Sequence, residues 1–321
     1  MEERIAAIGG GTGLSTMLKG LKLHTQNVTA VVSVADDGGS SGVLRADYGM
    51  LPPGDVRNCV SALADVDPEL GEILNFRFGD GTLKGHSVGN IVLAAINELS
   101  PTFEDAVKRF CKFAGVVGRV FPVTNENVVL NACLADGTVI AGESNIGSHR
   151  GGIAIDHVFL TPRADTVEGV INAIEQAQII VLGPGSLYTS IIPNLLVDGV
   201  VDAIHRSRAL KIYVCNLMEQ EGETEGYSVN DHLRAIEKHS YTGIADIVIA
   251  NSAEVPEELR RKYSLQHAQP VRVDAEAVMT RSNLMLGNLL LVQDGQVRHN
   301  FSRLARVIMR AYREKNSGAL P

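Results

Sequence analysis

The sequence predicts an α/β protein: a mainly parallel sheet with helices on both faces, interrupted by a β-hairpin insertion and finished by a C-terminal hairpin and helix. Three observations predict it. The chain opens as strand, glycine turn and helix; a second such unit recurs at residues 179–190; and apolar strand runs alternate with helically spaced apolar residues between and after them.

Arg4-Ile5-Ala6-Ala7-Ile8 is a short apolar run suited to a buried strand. Gly9-Gly10-Gly11-Thr12-Gly13 permits a tight turn with bare backbone amides, and Leu14, Met17, Leu18 and Leu21 recur at helical spacing. Such a helix start presents unpaired N–H groups and a positive dipole end, a seat for phosphate. A glycine turn used only for packing is the plainer alternative. Val28 to Val34 reads as the second parallel strand and ends at Asp36 and Asp37. An acid at that strand end bonds ribose hydroxyls in dinucleotide folds; the pair would equally serve as metal ligands or as turn caps. Leu14 stands where the dinucleotide fingerprint needs its third glycine, so the run points to a phosphate seat more directly than to an NAD site.

Gly38-Gly39-Ser40-Ser41-Gly42 reads as a polar mobile loop able to fold over phosphates. Pro52-Pro53 stops any helix, and Asp55 is placed to cap the next one, through Leu63. Arg45 and Arg57 are either surface salt-bridge formers or forks for a diphosphate. Gly85-His86-Ser87-Val88-Gly89-Asn90 matches the nucleophile-elbow pattern G-x-S-x-G, which requires a strand running into the serine. The residues before it are loop-like and those after it are helically spaced, so Ser87 reads as a helix cap and Asn90 belongs to a third anion-capable helix start. His86 is the obvious proton-transfer group if the first loop binds NAD.

Thr102 or Ser100 starts a helix towards Phe113. Asp136-Gly137 between Val128–Leu134 and Thr138–Ile140 is a strong hairpin signal, followed by a loop over 147–152 and a strand at Val158–Leu160. His149 and His157 lack ligand-spaced partners and read as ordinary histidines. Alternation resumes with a helix over 166–176, a strand over 179–182 and Gly183-Pro184-Gly185-Ser186, whose amides and hydroxyls would bind phosphate. Strands at 211–215 and 247–251 flank a helix over 229–239. A short helix to Tyr263, an extended 270–273, a hairpin turning at Asp294-Gly295 and an amphipathic helix over 302–315 follow; residues 316–321 are expected to fray.

Composition narrows the partners. With 321 residues the chain can bury a large core, and a net charge of −8 without a basic run argues against nucleic acid. Four dispersed cysteines suggest neither zinc nor disulfides, hence a reducing compartment. No apolar run is long enough to span a membrane and the acidic start is no signal peptide, so the expected location is cytoplasmic.

Together, Gly9-Gly10-Gly11-Thr12-Gly13-Leu14, Ala35-Asp36-Asp37-Gly38-Gly39-Ser40-Ser41-Gly42, Leu51-Pro52-Pro53-Gly54-Asp55-Val56-Arg57-Asn58, Gly85 to Asn90, Gly183 to Tyr188 and Asn216-Leu217-Met218 resemble the gluconeogenesis factor family, over nearly the whole chain. That family is grouped with the 2-phospho-L-lactate transferases. The resemblance implies one Rossmann-like nucleotide-binding domain over 1–321, with 256–321 a C-terminal extension packed on it. It implies a nucleotide-sugar ligand of the UDP-N-acetylglucosamine type and a regulatory role in cell shape under gluconeogenic growth rather than an established enzyme. Cell-wall synthesis proteins and a second copy of the chain are its implied partners. A Tyr and an Arg near the C-terminus bind the nucleotide sugar in that family; Tyr263 and Arg298 match them best. The candidate binding set is thus Gly10, Gly11, Thr12, Gly13, Asp36, Asp37, Ser40, Ser41, Arg45, Arg57, Asn90, Gly185, Ser186, Tyr263 and Arg298. On the transferase reading, Asp36 and Asp37 would hold Mg²⁺ and align a nucleotide-activated donor.

Overall fold

Seven strands form one all-parallel sheet: β1 (Ile5–Gly9), β2 (Val28–Val32), β3 (Arg119–Pro122), β7 (Ile179–Leu182), β8 (Leu210–Val214), β9 (Ile247–Asn251) and β10 (Asn283–Gly287). The computed structural model describes residues 2–65, 68–150 and 152–318. The sheet order is β10-β9-β8-β7-β1-β2-β3, so the chain winds outward from β1 in one direction and returns to wind outward from β7 in the other. Right-handed crossovers then carry the connecting helices to opposite faces on the two sides of the β1–β7 pair. β1, β2 and β7 are buried along their whole length, because helices cover both faces and only apolar side chains tolerate that position.

β1 and β7 pair from Ile5↔Ile179 to Ile8↔Leu182, and each leads directly into its glycine turn. The first turn feeds the helix Gly11–Leu21. The second feeds a π-helical turn over Leu187–Ile191 that tightens into the helix Ile192–Leu195. A Cβ on Gly13 would stand 2.5 Å from the Pro184 carbonyl oxygen, so the two turns touch backbone to backbone and the position admits only glycine.

The hairpin insertion forms as expected and is larger. β4 (Val129–Leu134) pairs antiparallel with β5 (Val139–Ala141) and also with β6 (Ile155–Thr161), making a separate three-stranded sheet. At the other end, β11 (Leu290–Gln293) and β12 (Gln296–His299) form the C-terminal hairpin, and the helix Phe301–Asn316 packs against the first helix. That helix covers part of the segment expected to fray, of which 319–321 lie outside the described residues, as does Gly151 of the 147–152 loop.

Several local expectations are corrected. Gly38–Gly42 is no mobile loop: the helix Gly39–Tyr48 begins there, and Ser40 and Ser41 are buried in its first turn. Asp55 does not cap its own helix, Gly54–Leu63, whose N-cap is Pro53; its carboxylate turns away to the first glycine turn. Residues 270–273 make only isolated bridges. The strands β3 and β10 escaped the pattern because each is a sheet edge that is short and mixed in polarity. Ser87 and Thr102 do cap their helices, accepting from the Asn90 and Asp105 amides. The missing strand before Ser87 removes the hydrolase reading.

Candidate functional site at the switch point

In open α/β sheets the ligand crevice lies beyond the carboxyl ends of the strands, where winding direction reverses. Here that point is the β1–β7 pair, and a cavity of ≈ 240 Å³ opens at it. Its floor is the glycine turns, Gly10 to Gly13 and Pro184 to Ser186. Asn216 to Gln220, following β8, close one side, and Tyr263 with Val297 to His299 close another. Eight of the fifteen expected binding residues line it: Gly10, Gly11, Thr12, Gly13, Gly185, Ser186, Tyr263 and Arg298.

The amides of these turns are not all bare. The Gly11 N–H donates to Asp55 Oδ2 at 2.7 Å, and the Gly185 N–H donates to Asn216 Oδ1 at 3.3 Å. The Thr12 and Gly13 N–H groups, second and third in their helix, have no partner among the described residues, as helix geometry dictates. Side-chain amides extend the second turn: Asn216 Nδ2 donates to Gln220 Oε1 at 3.3 Å, and Gln220 Nε2 donates to Ser186 Oγ at 2.7 Å. Tyr263 holds the opposite wall, its hydroxyl accepting from the Val297 N–H at 3.0 Å, so it fixes the strand that carries Arg298. His299 is buried, and burial pushes its pKa down to about 4; it bonds the Cys215 backbone and leaves Nε2 without a partner. A neutral ring in that state presents an acceptor.

Asp36, Asp37, Ser40, Ser41, Arg45, Arg57 and Asn90 do not line this cavity. They lie on the β2 side of the first turn, which corrects the expectation of one shared site. Asp36 Oδ1 accepts from the Gly38 N–H at 2.9 Å, closing its own turn rather than facing a ribose. Asp37 Oδ1 accepts from the Ser144 N–H at 2.8 Å and so pins the helix Glu143–Gly147 of the insertion. Arg45 donates to Asn127 and the Val128 carbonyl, tying helix to insertion instead of reaching a diphosphate. Arg57 is 7 % exposed and forms no ion pair among the described residues; Asn75 and Asn90 hold it.

Three carboxylates that carried no binding assignment from sequence gather on this side. Burial, with Asp36 nearby, raises Asp55 to about 6. Burial raises Glu143 to about 8, with Asp36, Asp55, Glu223 and Asp37 all adding repulsion. Glu223, fully buried, is raised to about 7; Thr189 donates to its Oε1 at 3.2 Å, and its Oε2 has no partner. Nothing local marks these residues, since Glu143 opens a short helix and Glu223 sits in a polar loop, and they converge only through the fold. The transferase group implies Mg²⁺. No three ligating side chains converge on a cation among the described residues. Mg²⁺ commonly takes one or two carboxylates and completes its shell with phosphates and water, and the mutually repelling Asp36 and Asp55 fit that smaller demand.

Fold and site define a doubly wound α/β protein with its crevice at the switch point, and residues 5–290 match the family model described as 2-phospho-L-lactate transferase CofD. The gluconeogenesis factor of Bacillus subtilis strain 168 is 41% identical over 97% of this chain and 98% of its own. That of Halalkalibacterium halodurans is 42% identical over 96% of each chain. A crystal structure of a UPF0052 family member from Bacillus halodurans superposes with a TM-score of 0.93 at 41% identity, covering 96% of this chain and 100% of that one. The chain belongs to the gluconeogenesis factor family, within the group the transferase model describes. No helix among the described residues is long and apolar enough to cross a membrane.

Proposed function

We propose that this protein is a cytoplasmic regulator that binds a nucleotide sugar of the UDP-N-acetylglucosamine type and supports cell shape when growth depends on gluconeogenesis. The diphosphate rests on the free Thr12 and Gly13 amides and the Ser186 hydroxyl, and Tyr263 and Arg298 engage the base or sugar. One observation carries this reading: Tyr263 and Arg298, far from the glycines in sequence, line the same cavity as both turns. An Arg and helix-start amides are a matched set for phosphate oxygens. Calorimetry with UDP-N-acetylglucosamine tests it: Tyr263→Ala and Arg298→Ala each weaken binding, and unchanged affinity in both would remove the assignment. Cell-wall synthesis proteins and a second copy of the chain are the partners this role calls for.

A second reading, nucleotide-activated transfer, is favoured by the carboxylates beside the first turn. Asp36 and Asp55 would hold Mg²⁺, which neutralises a diphosphate leaving group when bound. Metal-dependent turnover of a nucleotide-activated donor, lost in Asp36→Asn, is its signature. Nothing at the first turn favours NAD.

A further inference from the structure

The motif at Gly85–Asn90 lies outside the cavity, and the groups around it are rich in hydrogen-bond donors. Asn90 Nδ2 donates to Ser40 Oγ at 3.0 Å, and the same Ser40 oxygen is hydrogen-bonded to His86 Nδ1, 2.9 Å away. His86 Nε2 has no hydrogen-bond partner among the described residues. Asn90 Oδ1 accepts from Arg57 Nε at 3.4 Å, and Asn75 Oδ1 accepts from Arg57 Nη1 at 2.7 Å. Arg57 Nη2 makes no hydrogen bond among the described residues.

This guanidinium is buried with neutral neighbours and a second cation nearby. Arg77 is close enough to disfavour its charge, and the Arg77 side chain donates to the Gly85 carbonyl. Asp55, the carboxylate that counteracts them, is committed to the Gly11 N–H on the other side. A buried charge that is incompletely compensated is costly, by several kcal/mol in general, and Asp55 is shared with the Gly11 N–H. The site is also built to keep the charge where it is: a Cβ on Gly89 would stand 2.9 Å from Arg57 Cγ and Cδ, so the last glycine of the motif makes room for the arginine stem.

We propose that Arg57, His86 and Arg77 form a second anion subsite, separate from the glycine-turn cavity, which takes a phosphate group, either the free ion or a small phosphomonoester. Asp55 stands between the two, bonded to the first turn and facing Arg57, so the molecule alternates an anion seat, an acidic wall and a second anion seat. This arrangement suits two ligands bound side by side, and it holds whichever nucleotide fills the first cavity.

The test titrates the full chain with inorganic phosphate and with glycerol 3-phosphate by calorimetry, with and without saturating UDP-N-acetylglucosamine. Wild-type protein binds phosphate with the nucleotide sugar present, and Arg57→Gln weakens that binding about tenfold or more, the usual effect of losing a charge-assisted contact. Nucleotide-sugar affinity is measured in the same samples, so failure of the first cavity reads out separately. Tighter binding of the ester than of the ion assigns the site to an organic phosphate; equal binding assigns it to the ion. If Arg57→Gln does not fold, His86→Ala and Arg77→Gln decide, and loss in either supports the site. No phosphate binding by the wild type, or affinities within about twofold in every folded variant, would overturn it.

Discussion

The two glycine turns solve one problem differently. At the first, a carboxylate from a distant helix, Asp55, takes the leading amide directly. At the second, the leading amide goes to the neutral Asn216, and the carboxylate, Glu223, sits deeper on the Thr189 hydroxyl. The first helix is regular from its start; the second opens with a π-helical turn in which both Ser190 and Ile191 donate to the Ser186 carbonyl. The difference teaches that a glycine turn on a strand end attracts negative charge whether or not a ligand supplies it. On the proposed function, a ligand phosphate would meet carboxylates already in residence, and its binding would be tied to their protonation.

The sharpest way to break the comparison is to force the turns apart. Gly13→Ala sets a Cβ against the Pro184 backbone, which cannot swing aside, whereas Gly10→Ala meets side chains, Asp55 at 2.7 Å and Ser190 at 3.4 Å. Denaturant unfolding should show a loss of about 3 kcal/mol for the former and about 1 for the latter; equal losses would mean the turns do not depend on touching.

Proton linkage comes next. Asp55 is raised from 3.8 to about 6 and Glu223 from 4.5 to about 7, so the folded state binds protons the unfolded state has lost. Stability therefore falls as pH rises, between about 4 and 6 for Asp55 and between about 4.5 and 7 for Glu223, by on the order of 2–3 kcal/mol each. Asp55→Asn and Glu223→Gln each flatten their own window. Wild-type slope in both variants would show that the two carboxylates do not titrate as placed.

The smallest effect sharpens the cavity wall. Tyr263→Phe removes the acceptor for the Val297 N–H and costs about 1 kcal/mol by thermal or chemical unfolding, while Tyr263→Ala also empties the wall. Nucleotide-sugar affinity that falls with Phe as far as with Ala would make the hydroxyl, through the Arg298 strand, the decisive group.

The buried central strands, the two glycine turns and the C-terminal hairpin were legible in sequence because each follows from local pattern: unbroken apolar runs, glycines before helical spacing, and Asp-Gly between strands. Ser87 and Thr102 were legible as caps for the same reason. The edge strands β3 and β10 were not, because an edge carries a weak pattern. Asp55 has the spacing of a cap and becomes a partner of Gly11 only once β1 and the helix Gly54–Leu63 are packed together. Arg57 and Arg45 looked alike as lone arginines; one is buried beside Gly89 and the other is tied to the insertion.

By itself the sequence determined that phosphate-type turns end two parallel strands, since glycine freedom and strand burial are properties of a few adjacent residues. Tertiary structure alone decided that those strands are neighbours at the winding reversal, that Tyr263 and Arg298 share their cavity, and that Asp36, Asp55, Glu143 and Glu223 gather nearby. The reason is physical: backbone preference acts within a turn of helix or a strand, whereas the company a charged side chain keeps is set by which distant segments the core brings beside it.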